Sequence, residues 1–500
     1  MSTFKKTITN LPLLACTAIA ACSVSQAKPG LVSYPYDFSS PLMPRSDYYE
    51  VSVGQGNNTQ SLTVYMSQSS PKAKKKGRNQ AIFGNTISWS QFSFAGEVTV
   101  RVSLKTDQEK VKYGDLKILP SRFAIEPRKI NATTAEFTLT QAGQYSVEFE
   151  TNSHKNGLLI FADPLETDIP DKNAAAVKLC APCNKTDLKN LDNYHTVYFA
   201  PEKHTIMHWR PPSNIKNIYL AGGAVVQGAI QLNDKANSHT KIWGRGILDG
   251  NIFGLEKINM VEAKGSVDHI HVEGIIISQP SKFAVRLLGK NNDIHWVKTP
   301  GGWRFNNDGL VGYKNTHISN CFVWANDDAI KLYRDNQKVE NIVFWHLTNG
   351  GIFQWAWNTN DSRNIVVKNI DVLHGEWPGD GRNQGVFNAR GSKNKKGIKT
   401  QEQWVFENIK IETPVNVLFN LAPKVPHRIT NVVFRNIDAQ MNDGGINRIA
   451  GFNKATPLSD ITFENLMING QCINSNNAKT IGNFQMENVK NIRFIGDCSL

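Results

Sequence analysis

A short phrase, roughly Asn-Ile-x-Val/Phe-x-Asn-Ile, returns through the second half of the chain and limits what that half can become. It stands as Asn341-Ile-Val-Phe344, Asn364-Ile-Val-Val-Lys-Asn-Ile370, Asn431-Val-Val-Phe-Arg-Asn-Ile437 and Asp460-Ile-Thr-Phe-Glu-Asn-Leu466. Aligned on its first apolar residue, the series runs Ile218, Ile242, Ile270, Ile294, Ile318, Ile342, Ile365, Val405, Val432, Ile461, Ile492. Its steps are 23 to 31 residues, with one of 40. A strand-type repeat of this length reads as stacked coils. A second series interlocks with the first: Gly309-Leu-Val-Gly-Tyr313, Ala329-Ile-Lys-Leu-Tyr333, Gly351-Ile-Phe-Gln-Trp355 and Gly385-Val-Phe-Asn388. Each coil therefore has at least two strands. Asn, Gly and Asp between them tolerate the left-handed backbone that corners need. The asparagines are expected to form hydrogen-bonded ladders inside the stack. A parallel β-helix fits this pattern. A leucine-rich repeat lacks its regular leucines, and a propeller needs four strands in about 40–50 residues.

Residues 31 to 180 read differently. Tyr48 to Val53, Thr86 to Phe94, Glu97 to Leu104, Arg122 to Ile125 and Gln144 to Glu150 are short runs rich in Val, Thr, Tyr and Phe, punctuated by Gly, Asn, Ser and Pro. That pattern predicts an antiparallel sandwich. No acid pair or nucleophile constellation lies in it. The fold class is all-β: an N-terminal β-sandwich over residues 28–180, then a parallel β-helix over 181–500.

Residues 1–27 read as a targeting segment, with Lys5 and Lys6 before the apolar run Leu11 to Ala21. Ser25-Gln26-Ala27 suits an ordinary signal peptidase. Ile19-Ala20-Ala21-Cys22 suits a bacterial lipoprotein signal, with Cys22 as the lipid anchor. Either reading places the mature protein outside the cytoplasm: secreted, periplasmic or on the bacterial cell surface. Export permits disulfides. Cys180 and Cys183 are expected to form a local bridge, Cys472 and Cys498 are a second candidate pair, and Cys321 reads as a buried thiol.

The 56 Lys and Arg against 43 Asp and Glu give a net charge of +13. The one tight basic cluster, Pro71 to Arg78, reads as a solvated loop, with an anionic surface or polysaccharide as the alternative. No nucleic-acid motif accompanies it, and no partner beyond substrate is expected of what reads as a monomer.

Chemistry concentrates in Gly301-Gly-Trp-Arg-Phe-Asn-Asn-Asp-Gly309 and Trp324-Ala-Asn-Asp-Asp-Ala-Ile-Lys-Leu-Tyr-Arg334. Asp308 and Asp328 each head a strand of the second series, so they should lie one coil apart, about 5 Å in backbone spacing. Asp327 should splay to the other side of the turn. Clustered carboxylates cannot all ionise freely, and one retains a proton near neutral pH. A proton donor beside carboxylate partners is the equipment for splitting a glycosidic bond. Inversion by that template needs a gap of roughly 6.5–9.5 Å. Backbone capping and a calcium site are the competing readings. Trp303, Tyr333, Trp355, Trp357 and Trp377 are expected near this edge to stack on sugar rings. Asn307, Lys331 and Gln354 are expected to contact substrate, with Arg334, Asn388 and Arg390 as further donors. Trp324 reads as packing. No metal or cofactor is expected.

At these residues the sequence resembles a family. Asn306-Asn-Asp-Gly309 and Asn326-Asp-Asp328 are similar to the Asn-x-Asp-Gly and Asp-Asp pair of the β-helical polygalacturonases. The Gly-His-Gly and Arg-x-Lys of that group are missing, and Asn349-Gly-Gly351 stands in the place of the first. The chain resembles more closely glycoside hydrolase family 49, the dextranases and isopullulanase, over nearly its whole mature length, including Trp243-Gly-Arg-Gly-Ile-Leu-Asp-Gly250. The resemblance implies a β-sandwich before a right-handed β-helix, inversion without metal, and an α-glucan substrate, most often dextran with α-1,6 links. It makes Asp327 the general acid and has Asp308 and Asp328 hold the water. A lyase on the same scaffold and a non-catalytic surface adhesin remain the alternatives. An anionic polysaccharide would suit the positive charge better than neutral dextran.

Overall fold

The computed structural model describes residues 30–500 apart from 36–42, 69–84, 106–115, 150–155, 255, 356, 380–382, 391–395, 497 and 499–500. The targeting segment with Cys22 and the basic cluster at 71–78 lie outside the described residues.

The N-terminal part is two facing sheets. One has six strands, with Thr86–Phe94 and Asn156–Pro164 at its centre, and the other has five, including Tyr49–Gln55 and Val98–Leu104. Val98–Leu104 shows the half-buried alternation: Val98, Val100, Val102 and Leu104 are buried, while Thr99 and Arg101 face out. Thr86–Phe94 is buried at every position. Phe92 and Phe94 fill the sandwich core, whereas Ile87 and Trp89 join Val225, Ile247, Trp303, Trp324 and Trp345 of the second part. This sheet is therefore the docking face between the two parts, and both its sides are apolar. Two expectations need correction. Asn156–Pro164 runs parallel to Thr86–Phe94; the intervening chain crosses the other sheet, so no hairpin imposes antiparallel pairing. Arg122 to Ile125 is not a strand, because Ser121–Phe123 forms a single 3-10 turn closed by Ala124 in the left-handed region.

From Val177–Cys180 onward, strands pair in parallel, coil on coil, into sheets of 15 and 13 strands, apart from Gln471–Cys472, which turns back antiparallel. This is the parallel β-helix. One inward column runs Ile218, Ile242, Val272, Ile294, Ile318, Val339, Val367, Phe406, Phe434, Phe463, Phe494. Rings of its last four members stack 5.1, 5.2 and 4.7 Å apart. Each such side chain contributes roughly 1.5–3 kcal/mol by leaving water. The repeat read from sequence has the right period but mixes columns. Val272 stands where Ile270 was expected. Ile342 stacks on Ile370, and Ile365 on Trp404 rather than Val405.

The asparagine ladders form, but at the corners rather than inside. Asn320, Asn341, Asn369, Asn408, Asn436 and Asn465 pass side-chain amide hydrogen bonds of 3.0–3.2 Å up successive coils. All six sit at φ between 52° and 56°. Asn tolerates this conformation better than other residues with a Cβ. Cys180–Cys183 and Cys472–Cys498 are disulfides, and Cys321 is a buried free thiol.

Candidate active site

Leu310 pairs with Ile330 across adjacent coils. The residues two before them, Asp308 and Asp328, consequently stand one above the other. Close stacking here requires glycine: a Cβ on Gly309 would lie 2.5 Å from the Ala329 carbonyl oxygen. Gly350, at φ 81°, presses equally hard on the Asp327–Asp328 peptide, with a Cβ position 2.5 Å from Asp328 N. The Asn349-Gly-Gly351 segment thus lets the next coil seat directly against the acids.

Asp308, Asp327 and Asp328 are all buried, and one carboxylate oxygen from each lies within 4.8 Å of the others. Asp327 does not splay away as its sequence position suggested. Its Oδ1 accepts from Asp328 N at 2.9 Å and its Oδ2 from Asn306 Nδ2 at 3.0 Å, which turns the carboxylate back toward its neighbours. Lys331 bridges the other two, with Nζ 2.7 Å from Asp308 Oδ2 and in contact with Asp328 Oδ2. The ammonium occupies the place from which a hard cation would bridge them. Gln354 Nε2 donates to Asp328 Oδ1 at 3.2 Å and to Asn383 Oδ1 at 2.7 Å.

Electrostatics follow from burial and from three carboxyls facing one ammonium. Burial lifts Asp308 well above the usual carboxylate range; Lys331 opposes the shift, and Asp327 and Asp328 add to it. Burial and then the Asp328 charge push Asp327 up to about 6. For Lys331, burial works against the charge, but Asp308 and Asp328 outweigh it and hold the group well above its ordinary value. With two carboxylates against one ammonium the cation persists, and the like charges of the trio disfavour ionisation of all three carboxyls. Asp327 has no ammonium in hydrogen-bond contact among the described residues.

The trio opens into a groove of about 870 Å³. Lys331, Tyr333 and Trp357 line it, as expected. Five expected substrate contacts do not. Trp355 is fully buried in the β-helix core, stacked 5.2 Å from Phe406. Trp303 lies at the seam with the sandwich, donating Nε1–H to Ser67 Oγ and packing edge-on against Trp324, which is packing as read. Trp377 backs the site, donating to the Gly350 carbonyl and packing on His346. Asn307 caps its own turn, accepting from Arg304 N and donating to the Pro280 and Lys282 carbonyls. Gln354 is sealed beneath Asp328. Of the further donors, Arg334 lies over the Tyr313 ring, and Asn388 donates to Asn383 Oδ1.

The groove also contains Lys282, Phe283, Arg286, Phe305, Asn306, Tyr313, Asn349, Asn358 and Asn383, which sequence reasoning missed. A signal for the first two existed. Val285 pairs with Leu310, so residues 282–283 sit on the preceding coil at the edge that carries Asp308. His346 was also missed; its Nε2 lies 2.9 Å from the Asp327 carbonyl oxygen and helps fix that turn.

Comparisons with known proteins agree with this architecture. Residues 39–163 match the glycosyl hydrolase family 49 N-terminal Ig-like domain. A dextranase of Arthrobacter sp. (strain CB-8) is 25% identical over 455 residues, covering 74% of this chain and 71% of the relative. The isopullulanase of Aspergillus niger is 22% identical, covering 80% and 81%. The solved structure of Dex49A from Penicillium minioluteum superposes with a TM-score of 0.77 at 20% identity, over 92% of this chain and 98% of that one, and so shares its fold. With that N-terminal domain and dextranase and isopullulanase relatives along most of its length, the chain is a glycoside hydrolase similar to those of family 49.

Proposed function

We propose that the protein hydrolyses α-glucosidic bonds of a glucan, with the α-1,6 links of dextran as first choice, by a single inverting displacement. The observation that carries the proposal is the buried carboxyl trio, two of its members bridged by one lysine, facing an aromatic-lined groove. The dextranase and isopullulanase relatives supply the substrate class.

Asp327 holds the proton and gives it to the glycosidic oxygen as the C1–O bond breaks. A water attacks C1 from the opposite side and loses its proton to a carboxylate. Asp308 is the base we assign: Lys331 opposes the burial that raises its pKa, and it lacks the Gln354 and Gly351 donors that Asp328 already accepts from. The oxygens are closer than the roughly 6.5–9.5 Å of the usual inverting arrangement. That spacing applies when the two groups approach from the ends of the reacting line. Carboxyls that approach from one flank need be no farther apart than the leaving oxygen and the incoming water are from each other. Trp357 on the groove wall supplies aromatic surface for a sugar, whereas Tyr333, though at the groove, is buried.

The site of action we propose is outside the cytoplasm, after removal of residues 1–27 or with Cys22 lipidated. The two disulfides support this, since such bonds persist in oxidising compartments.

Incubating pure protein with dextran, pullulan and pectate, following reducing ends and ultraviolet absorbance together, tests the proposal. New reducing ends from an α-glucan without absorbance are expected. Absorbing, unsaturated ends from pectate would identify a lyase. Binding without turnover on any polymer would identify an adhesin.

A further inference from the structure

A second cluster of chemically capable side chains lies on the other long sheet of the β-helix, away from the carboxyl trio. Strands His271–Glu273, Asp293–His295 and His317–Ser319 stack in register there. Their middle residues, Val272, Ile294 and Ile318, are buried in the core. The flanking residues therefore all face outward. Register alternates them: His271 lies beside Asp293, and Glu273 beside His295. One ligand atom each of His271, Asp293 and His295 lies within 4.8 Å of the other two.

We propose that His271, Asp293 and His295 form a binding site for a divalent transition-metal ion of the zinc, nickel or copper class. The donor chemistry selects that class. Two imidazoles and one carboxylate suit these ions, whereas calcium and magnesium prefer oxygen alone. The outer groups already orient the donors. His295 Nδ1 lies 2.5 Å from Ser319 Oγ, which leaves Nε2 facing Asp293 Oδ1 at 3.6 Å. His271 Nε2 bonds Glu273 Oε2 at 2.8 Å. A metal takes the place of the proton in that bond, and Glu273 becomes the fourth donor, its oxygen joining that of Asp293. Hydrogen-bonded partners of this kind fix ring orientation in metal sites.

Access and adjustment both favour the site. The side chains of His271, Asp293 and His295 are 30%, 48% and 22% exposed. Bonds of about 2.0–2.2 Å to one ion need the donors closer together than they stand. Small rotations of half-exposed side chains provide that. The competing cation is Lys241, whose Nζ is 4.0 Å from Glu273 Oε2 and which also pairs with Asp168. The metal would tie adjacent coils together from outside, so its binding should raise folded-state stability.

Calorimetric titration of untagged, chelator-treated full-length protein with zinc chloride tests this. One site is expected in the parent protein and in Asp327→Asn. It should be lost in His295→Ala and weakened at least about tenfold in Asp293→Asn, and magnesium should not replace zinc. Zinc should raise the melting temperature of the parent but not of His295→Ala. Undetectable zinc binding by the parent, or binding equal in folded His295→Ala and Asp293→Asn, would overturn the proposal. Loss in Asp327→Asn alone would assign the ion to the carboxyl trio and overturn it too.

Discussion

Asp327→Asn should lower kcat on an α-glucan roughly 10²–10⁴-fold, the usual contribution of a positioned proton donor, and leave the fold intact. The substitution keeps shape and removes the acid. Asn retains an oxygen to accept from Asp328 N, and Asn306 can turn its amide to meet the new NH₂. The melting temperature should move by a few degrees at most. The pH profile carries the sharper readout. In the parent, activity should fall as pH rises through the Asp327 value, about 6 in the free protein, because the proton donor is lost. That alkaline limb should vanish in the variant. Near-normal turnover would remove Asp327 from the acid role.

Lys331→Met should have the largest effect on stability. It strips the ammonium from two buried carboxylates, and breaking a buried ion pair on one side typically costs about 3–5 kcal/mol. The loss should depend on pH. Asp308 is already raised by burial, and without Lys331 it rises further. A carboxyl whose folded pKa exceeds its unfolded value of about 3.9 binds more protons when folded, so stability falls as pH rises between the two values. Denaturant melts should therefore show a smaller deficit at pH 5 than at pH 7.5. The parent's lysine contributes at both pH values, since its raised pKa lies above them. Activity should need higher pH in the variant, because Asp308 must be ionised to accept the proton from water. A loss below about 1 kcal/mol that ignores pH would show that Lys331 does not hold the pair.

The backbone plan was legible because it is written in period. Coil length, the two interlocked strand series and the stacking of Asp308 on Asp328 all follow from spacing. Column identity was not, because left-handed asparagines such as Asn341 and Asn364 break the alternation inside the repeated phrase. An alignment on its first apolar residue then slips from Val272 to Ile270. Aromatic roles failed for two different reasons. Trp355 shares the parity of Phe353, whose column with Phe387 and Phe419 faces the core; the inward position was readable and outweighs any attraction to sugar. Trp303 is covered by Ser67 of the sandwich, a long-range contact that no local pattern announces. Lys331 reads as a surface donor at its place in the repeat. Its pairing with both acids depends on coil geometry that brings Asp308 within 2.7 Å.

Proton nuclear magnetic resonance of the first sugar product released from dextran probes the trio most directly. Direct attack by water on the face opposite the leaving oxygen, with no covalent intermediate, should give the β-anomer in the first minutes, before mutarotation. Initial release of the α-anomer would mean a double displacement, with one of these aspartates as nucleophile, and would contradict the assignment of proton donor and water-holding carboxylates.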